Sequence, residues 1–535
     1  MIKYESPGMH STAVNESASS SQSQSRSASR LHWVVLLLLV GTSVLVRFRC
    51  LSCKTFWFDE CFSVEVARID WRNFLHLMWW REANMSLYYL ILRAWLHLGQ
   101  SPLFIRSLSA LVSAASLPAI YWVAKLLYDR RVALIATALL AFNAYSARYA
   151  QEARSYALFT LLAALSSGLL ISWLQQSNAD LRSQSATSKW ESLGRWAYLI
   201  SSVLAVYAHF YALLLIAAHW IALSWVAPQH QPASVVIRRT WRIIAVAVLP
   251  LLVFVAKTGA GPIRWIQHPG IHDLAAFFEH LAGGTNAALP IIFFAACIAA
   301  ILPLGRSVWS CAQNWDVWRT QFLLLWLLFP IVLTVLLSFA RPVFLARYMI
   351  FCLPALLILV AAGLARLNGW LLAPALVAVV LLSLQGTAFV YSHDFDTERD
   401  ASGAATHFIL DHTEPGDAIV FHIAETRVPY EFFRTLRAGT STASPHFTAQ
   451  LGPEILFPHH GPGLDYRDFT GKPTPEFVHT AAQNHPRLWL MLMNNGPADK
   501  PDPTTQMLSQ VLLEALPRVQ SWHFPLVEIR LYSKE

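Results

Sequence analysis

Two adjacent carboxylates, Asp59 and Glu60, lie in the segment Phe56-Trp-Phe-Asp-Glu-Cys61, directly after the first long apolar run of the chain. A charge beside hydrocarbon is costly, so an ionisable pair at the mouth of a membrane helix points to function. The plain alternative is a pair of solvated loop acids that end a helix. Three further polar sets argue against it. One is Glu82 with Asn84, ahead of Leu87-Tyr-Tyr; another runs from Arg148 to Tyr156 and contains Gln151, Glu152 and Arg154; the last comprises His209, Tyr211, Arg347 and Tyr348. Helical spacing would put Arg148, Glu152 and Tyr156 on one face.

Carboxylates and arginines in one pocket suit transfer from a phosphate-linked donor. The acids can take a proton from an acceptor hydroxyl or hold a metal. Guanidinium groups can stabilise the charge that develops on a departing phosphate. Each set also has a structural reading: a helix-surface ion pair for Arg148 and Glu152, a packing role for His209, a headgroup anchor for Arg347.

What must position these residues is a membrane bundle. Of 535 residues, 55% are hydrophobic and only 13% are charged, about half the charged fraction of a soluble domain. The mean hydropathy is +0.42. Many runs approach the roughly 20 apolar residues that a crossing helix needs. The net charge of +8 falls mostly in short loops between these runs, which is how orientation signals are distributed, and no nucleic-acid partner is expected. Six cysteines are too scattered for a disulfide framework, and Cys50-x-x-Cys53 has no second pair to complete a zinc site.

Residues 1–30 are polar and Ser-rich, which predicts a disordered cytoplasmic tail. About eleven transmembrane helices are expected, near 31–47, 103–125, 132–148, 157–174, 197–208, 211–227, 241–257, 286–304, 320–340, 348–364 and 369–391. Segment 197–208 is short, and 87–99 reads as an interfacial or re-entrant helix. Basic clusters at 125–131, 182–195, 238–242, 306–319 and Arg366 set the cytoplasmic face. That leaves all four polar sets, the loop 48–102 and everything after Tyr391 on the outer face. Aromatics and charges between Asp59 and Leu87 suit helices lying in the headgroup layer. From about Ser392 the composition becomes that of a soluble α/β domain, with strands at 418–422, 487–492 and 526–532 and helices at 428–436 and 505–516.

The order of segments resembles the GT-C glycosyltransferases, specifically the family 39-like bacterial relatives of protein O-mannosyltransferases and of the aminoarabinose transferase that acts on lipid A. The resemblance rests on Phe58-Asp-Glu, the Glu82 to Tyr89 stretch, Phe104-Ile-Arg-Ser-Leu-Ser-Ala-Leu, Tyr149-Ala-Gln-Glu-Ala-Arg-Ser-Tyr-Ala-Leu, Tyr207-Ala-His-Phe-Tyr and Ala346-Arg-Tyr. It implies transfer of a sugar from a polyprenyl-phosphate-linked donor to an acceptor lipid, glycan or protein at the outer face of a bacterial inner membrane, with inversion. Asp59 would be the general base; Glu60 and Glu82 would orient the acceptor; Arg154 and Arg347 would hold the carrier phosphate. Asp59, Glu60 and Glu82 would also be the ligands if a divalent cation, Mg²⁺ or Mn²⁺, takes part. Where many relatives read His-Pro-Pro-Leu-Tyr-Tyr, this chain has Asn84-Met-Ser-Leu-Tyr-Tyr. The rival reading is a transporter or flippase of a lipid-linked sugar, but no internal repeat is visible and the acids lie at a helix mouth instead of the midplane.

Overall fold

The computed structural model describes residues 11–183, 189–224, 234–259, 266–285, 287–309, 314–392, 401–439, 451–461, 463–493 and 502–534. Helix α1, Ser11–Phe48, opens the chain. Its backbone is helical from Ser11, where composition alone predicts a disordered tail; residues 1–10 lie outside the described part.

Three short helices follow: α2, Phe58–Arg68, α3, Trp71–Trp80, and α4, Ser86–Leu96. The Asp70 side chain caps α3 by accepting from the Arg72 and Asn73 amides. At 11 residues, α4 is about 17 Å long, too short to cross a bilayer. Trp71, Trp79 and Trp80 stay exposed, as expected for helices in the headgroup layer.

The bundle proper begins with α5, Pro102–Leu127, the bent pair α6, Arg130–Phe142, and α7, Ala144–Ala150, then α8, Tyr156–Ser183. Helices α9, Lys189–Ala208, and α10, Ala212–Ser224, meet at a break beside His209. They are followed by α11, Ser234–Thr258, α12, Ile271–Ala282, α13, Ala288–Ile301, α14, Trp315–Ser338, α15, Leu353–Leu364, and α16, Gly369–Ser392. Among the described residues, eight helical stretches are long and apolar enough to cross a membrane, or nine with α6 and α7 taken as one span bent by 58°. Helices α9 and α10 account for the difference from eleven: α9 begins with charged residues, and α10 has only 13 residues. A 3₁₀ segment, Ala346–Cys352, leads into α15. Helices α13 and α15 approach so closely that a Cβ on Gly363 would sit 1.8 Å from the Ala296 carbonyl oxygen.

The soluble region carries α17, Ser402–His412, and a five-stranded sheet in the order β2-β1-β3-β5-β4. Strands β1, Ala418–His422, β2, Glu454–Phe457, and β3, Arg487–Met493, run parallel, while β4, Arg518–Phe524, and β5, Val527–Ser533, form an antiparallel edge. Strand β1 is buried along its whole length, consistent with its continuous apolar run. Helices α18, Arg427–Arg437, α19, Pro475–Asn484, and α20, Pro503–Ala515, complete the region. Among the described residues, three of the five strands and two of the four α-helices of this region match the sequence expectation. Strands β2 and β4 and helices α17 and α19 escape it, because Glu454–Phe457 has only four residues and β4 is largely exposed.

The soluble region is seated on α2 and α3. Phe432 stacks on Phe56 at 4.8 Å, Phe469 meets Phe62 edge-on at 5.3 Å, and Tyr466 stacks on His76 at 4.9 Å. Arg81, in the loop before α4, forms an ion pair with Glu425 of the soluble region.

Candidate active site

Asp59 stands in the first turn of α2, Arg154 in the turn between α7 and α8, and Arg347 in the 3₁₀ segment before α15. These three elements are far apart in sequence, yet they converge. The Asp59 carboxylate oxygen Oδ2 lies 3.6 Å from Nη2 of Arg154 and 3.6 Å from Nη2 of Arg347. Arg154 Nη1 also donates to the Asp59 carbonyl and to Ser63 Oγ, each at 3.3 Å. One carboxylate between two guanidinium groups leaves the cluster with a net positive charge.

Glu60, the next residue, is turned elsewhere. It is 1% exposed and accepts from Arg106 through both oxygens, at 2.8 and 2.6 Å. Glu60 Oε1 also accepts from the Ala153 amide at 2.8 Å. Arg106 in turn donates to the carbonyls of Leu51, Lys54 and Thr55. The pair thereby ties the loop ahead of α2 to the turn that carries Arg154. Glu60 sets the position of Asp59 and Arg154, and its oxygens are committed to that task instead of facing an acceptor.

Gln151 is a second residue whose place differs from the expectation. Helix α7 ends at Ala150, so Arg148, Glu152 and Tyr156 do not share one continuous helical face. The chain leaves the helix because the Gln151 side chain donates to the carbonyls of Arg47 and Arg49, at 3.2 and 2.6 Å. Arg148 and Glu152 still approach to 4.0 Å.

Around the charged cluster lies a set of buried donors. His209 is 1% exposed and stacks on Phe159 at 5.0 Å, with Tyr348 at 4.7 Å and Tyr211 at 5.4 Å. Burial, with Arg154 and Arg347 nearby, lowers its imidazole to about 3. Nδ1 accepts from the Tyr211 amide at 3.2 Å, so the proton of the neutral ring belongs on Nε2. That Nε2, the Tyr156 hydroxyl and Arg154 Nε are buried without a hydrogen-bond partner among the described residues. Unpaired buried donors are costly unless an acceptor-rich group meets them. Tyr211 itself donates to the Val343 carbonyl, which fixes the loop ahead of Arg347.

Glu82 stands half-buried in the loop before α4. Burial raises its carboxyl to about 7, against the pull of Arg81 and Arg154 and with the push of Asp59 and Glu425. Asn84 accepts from the Phe210 amide at 3.1 Å and so couples this loop to the α9–α10 break that carries His209. Sequence reasoning missed Arg106, which is embedded in the apolar run Phe104-Ile-Arg-Ser-Leu. An arginine at that depth is itself the signal, because it needs a buried partner.

The expected cation ligands do not form a cation site. Among the described residues no group of three or more His, Cys, Asp or Glu side chains could hold a metal ion. Glu60 is spent on Arg106, and Asp59 is flanked by two positive charges that would repel a cation. Cys50 and Cys53, in contrast, are joined by a disulfide. This single bridge is not a framework, but it gives Cys50-x-x-Cys53 a structural role that the sequence reading did not assign, and it suits an oxidising compartment.

The chain shares its fold, a polytopic bundle with a charged cluster at one end and a soluble α/β region over it, with solved membrane proteins. It is similar to ArnT from Cupriavidus metallidurans, a lipid A aminoarabinose transferase, with a TM-score of 0.58 and 10% identity over 95% of this chain and 99% of that one. ArnT bound to undecaprenyl phosphate matches with a TM-score of 0.53 and 13% identity over 93% and 98% of the two chains. The oligosaccharyltransferase AglB from Archaeoglobus fulgidus, in complex with an inhibitory peptide and a dolichol-phosphate, matches with a TM-score of 0.51 and 9% identity over 86% and 69%. No protein-family profile and no curated sequence matches the chain.

Proposed function

We propose that the protein is a glycosyltransferase that moves a sugar from a polyprenyl-phosphate carrier to an acceptor hydroxyl at the outer face of the membrane. The observation that carries this reading is the convergence of Arg154 and Arg347 on Asp59. Two guanidinium groups with several donors each suit a phosphate, and His209 Nε2 and Tyr156 add hydrogen-bond donors beside them. ArnT and AglB, two solved folds similar to this one, are described with undecaprenyl phosphate and dolichol-phosphate.

In this reading the acceptor oxygen attacks the anomeric carbon while the bond from that carbon to the phosphate oxygen breaks. The acceptor proton passes to the Asp59 carboxylate. The bonding electrons leave with the phosphate, whose charge Arg154 and Arg347 stabilise. A single displacement inverts the anomeric centre. Phosphate binding also draws the two guanidinium groups off Asp59, so the carboxylate becomes a stronger base only when the donor is in place. Glu82 orients the acceptor from the loop that faces the soluble region.

The test uses the full-length protein in liposomes with labelled undecaprenyl-phosphate-linked sugars and an extract of outer-leaflet acceptors. Asp59→Asn should cut transfer by about 10²- to 10⁴-fold, the usual effect of losing a general base. Arg154→Gln and Arg347→Gln should weaken binding of undecaprenyl phosphate itself. Near wild-type transfer by Asp59→Asn would remove the proposed base, and lipid translocation without product would favour a flippase.

A further inference from the structure

A second recess lies at the opposite end of the bundle. Helix α5 has 26 residues and is about 39 Å long; Arg106, near its start, binds Glu60, whereas Tyr128, just past its end, lines the recess. Likewise Arg347 precedes α15 and Arg366 follows it. The recess has a volume of about 200 Å³. Its apolar floor is made by Val132, Ala300, Leu304 and Ala362, and its rim by Asp129, Asp316, Arg319 and Arg366.

The rim charges are unequally committed. Asp129 accepts from the Val132 amide at 2.9 Å and caps α6. Asp316 pairs with Arg319 at 3.0 Å. Arg319 also donates to the Leu127 carbonyl and lies over the Tyr128 ring, with its guanidinium carbon 4.1 Å from the ring centroid. Its Nε is buried without a hydrogen-bond partner. Arg366 is exposed, and its guanidinium makes no hydrogen bond or ion pair among the described residues. Helix ends of both polarities meet at the rim, the C-termini of α5 and α15 and the N-termini of α6 and α14, so their dipoles oppose one another. Side chains therefore set the sign: two carboxylates and two guanidinium groups balance in number, and Arg366 is the one of the four with no hydrogen bond or ion pair from its charged group among the described residues.

We propose that this recess binds the phosphodiester headgroup of an anionic glycerophospholipid from the leaflet opposite Asp59. A recess between helix ends with an apolar floor and an exposed guanidinium at its rim matches such a molecule in two respects: Arg366 offers donors to the phosphate, and Val132, Ala300 and Leu304 offer a surface to the start of the acyl chains. The site is separate from the transfer site and stands whether or not that reading holds.

Native mass spectrometry of the full-length protein in detergent, titrated with phosphatidylglycerol or phosphatidylcholine, tests the proposal. The wild type should retain one phosphatidylglycerol in preference to phosphatidylcholine. Arg366→Ala, an exposed change that leaves the bundle intact, should weaken that retention about tenfold, the worth of one charge-assisted hydrogen bond. Ala365→Trp, which fills the recess while keeping both arginines, should do the same. An unchanged preference in both variants would overturn the site. Displacement of the lipid by inorganic phosphate at equal concentration would overturn its identity as a lipid headgroup site, since a free phosphate would then suffice.

Discussion

Asp59 and Glu60 are chemically alike and adjacent, and their surroundings give them opposite tasks. Glu60 is sealed against Arg106, so removing its charge strands a buried guanidinium. Glu60→Leu should cost about 3–5 kcal/mol of stability, read as a large fall in the unfolding temperature of the detergent-solubilised protein. Asp59→Asn, which keeps the side chain's shape and an acceptor oxygen beside Arg154 and Arg347, should lower that temperature less than Glu60→Leu while cutting transfer by about 10²- to 10⁴-fold. A reversal of these two outcomes would exchange their roles. Glu82 supplies a pH test. Its carboxyl is raised to about 7 from an ordinary 4.5, so the folded state holds a proton that the unfolded chain has already released. Its ionisation therefore works against the fold as pH rises from about 5 through 7. Glu82→Gln should remove that component: relative to the wild type, the variant should be stabilised progressively between about pH 5 and 8. Parallel stability curves for the two proteins would refute the shift.

At the scale of elements, helix α2 is held from three sides, by Arg106 of α5, by the α7–α8 turn, and by α18 of the soluble region. Phe432 is 1% exposed and is the aromatic centre of the last contact. Phe432→Ala should cost about 3–5 kcal/mol locally and raise hydrogen exchange across Phe58–Arg68, with little change in α14 or α15. Uniform protection in that variant would mean that the soluble region does not brace α2. Much of this scaffold is legible in the sequence. Apolar runs mark the long helices, and placing basic loops on one face puts Asp59, Arg154 and Arg347 at the other, because charge bias and span length are local signals. What stays hidden depends on partners. Nothing local to Glu60 distinguishes it from Asp59; the difference is made by Arg106, 46 positions away. The break after Ala150 is similarly set by carbonyls of α1 and the loop after it, which Gln151 reaches across the fold.

For the molecule as a whole, the two ends of the bundle differ in chemistry, and that difference predicts an orientation. At one end are the Asp59 cluster, the Cys50–Cys53 disulfide and the soluble region. At the other, Lys125, Arg130, Arg131, Arg319 and Arg366 gather at the far ends of α5 and α15. Positive residues flanking spans are retained on the cytoplasmic side, and disulfides persist where the medium is oxidising. Both rules point the same way, and the orientation they predict puts the soluble region outside. Counting α6 with α7 as one crossing and including α9 and α10, the helices make an odd number of crossings, which carries an inside N-terminus to an outside C-terminus. A phosphatase reporter, active only outside the cytoplasm, should therefore be active when fused after Glu535 and inactive when fused after Arg131 or Arg366. A fluorescent protein that matures only in the cytoplasm should give the complementary pattern. Activity at Arg366 together with silence at Glu535 would invert the molecule, placing the arginine pair and its carboxylate on the cytoplasmic side and removing the outer-face transfer reaction with them.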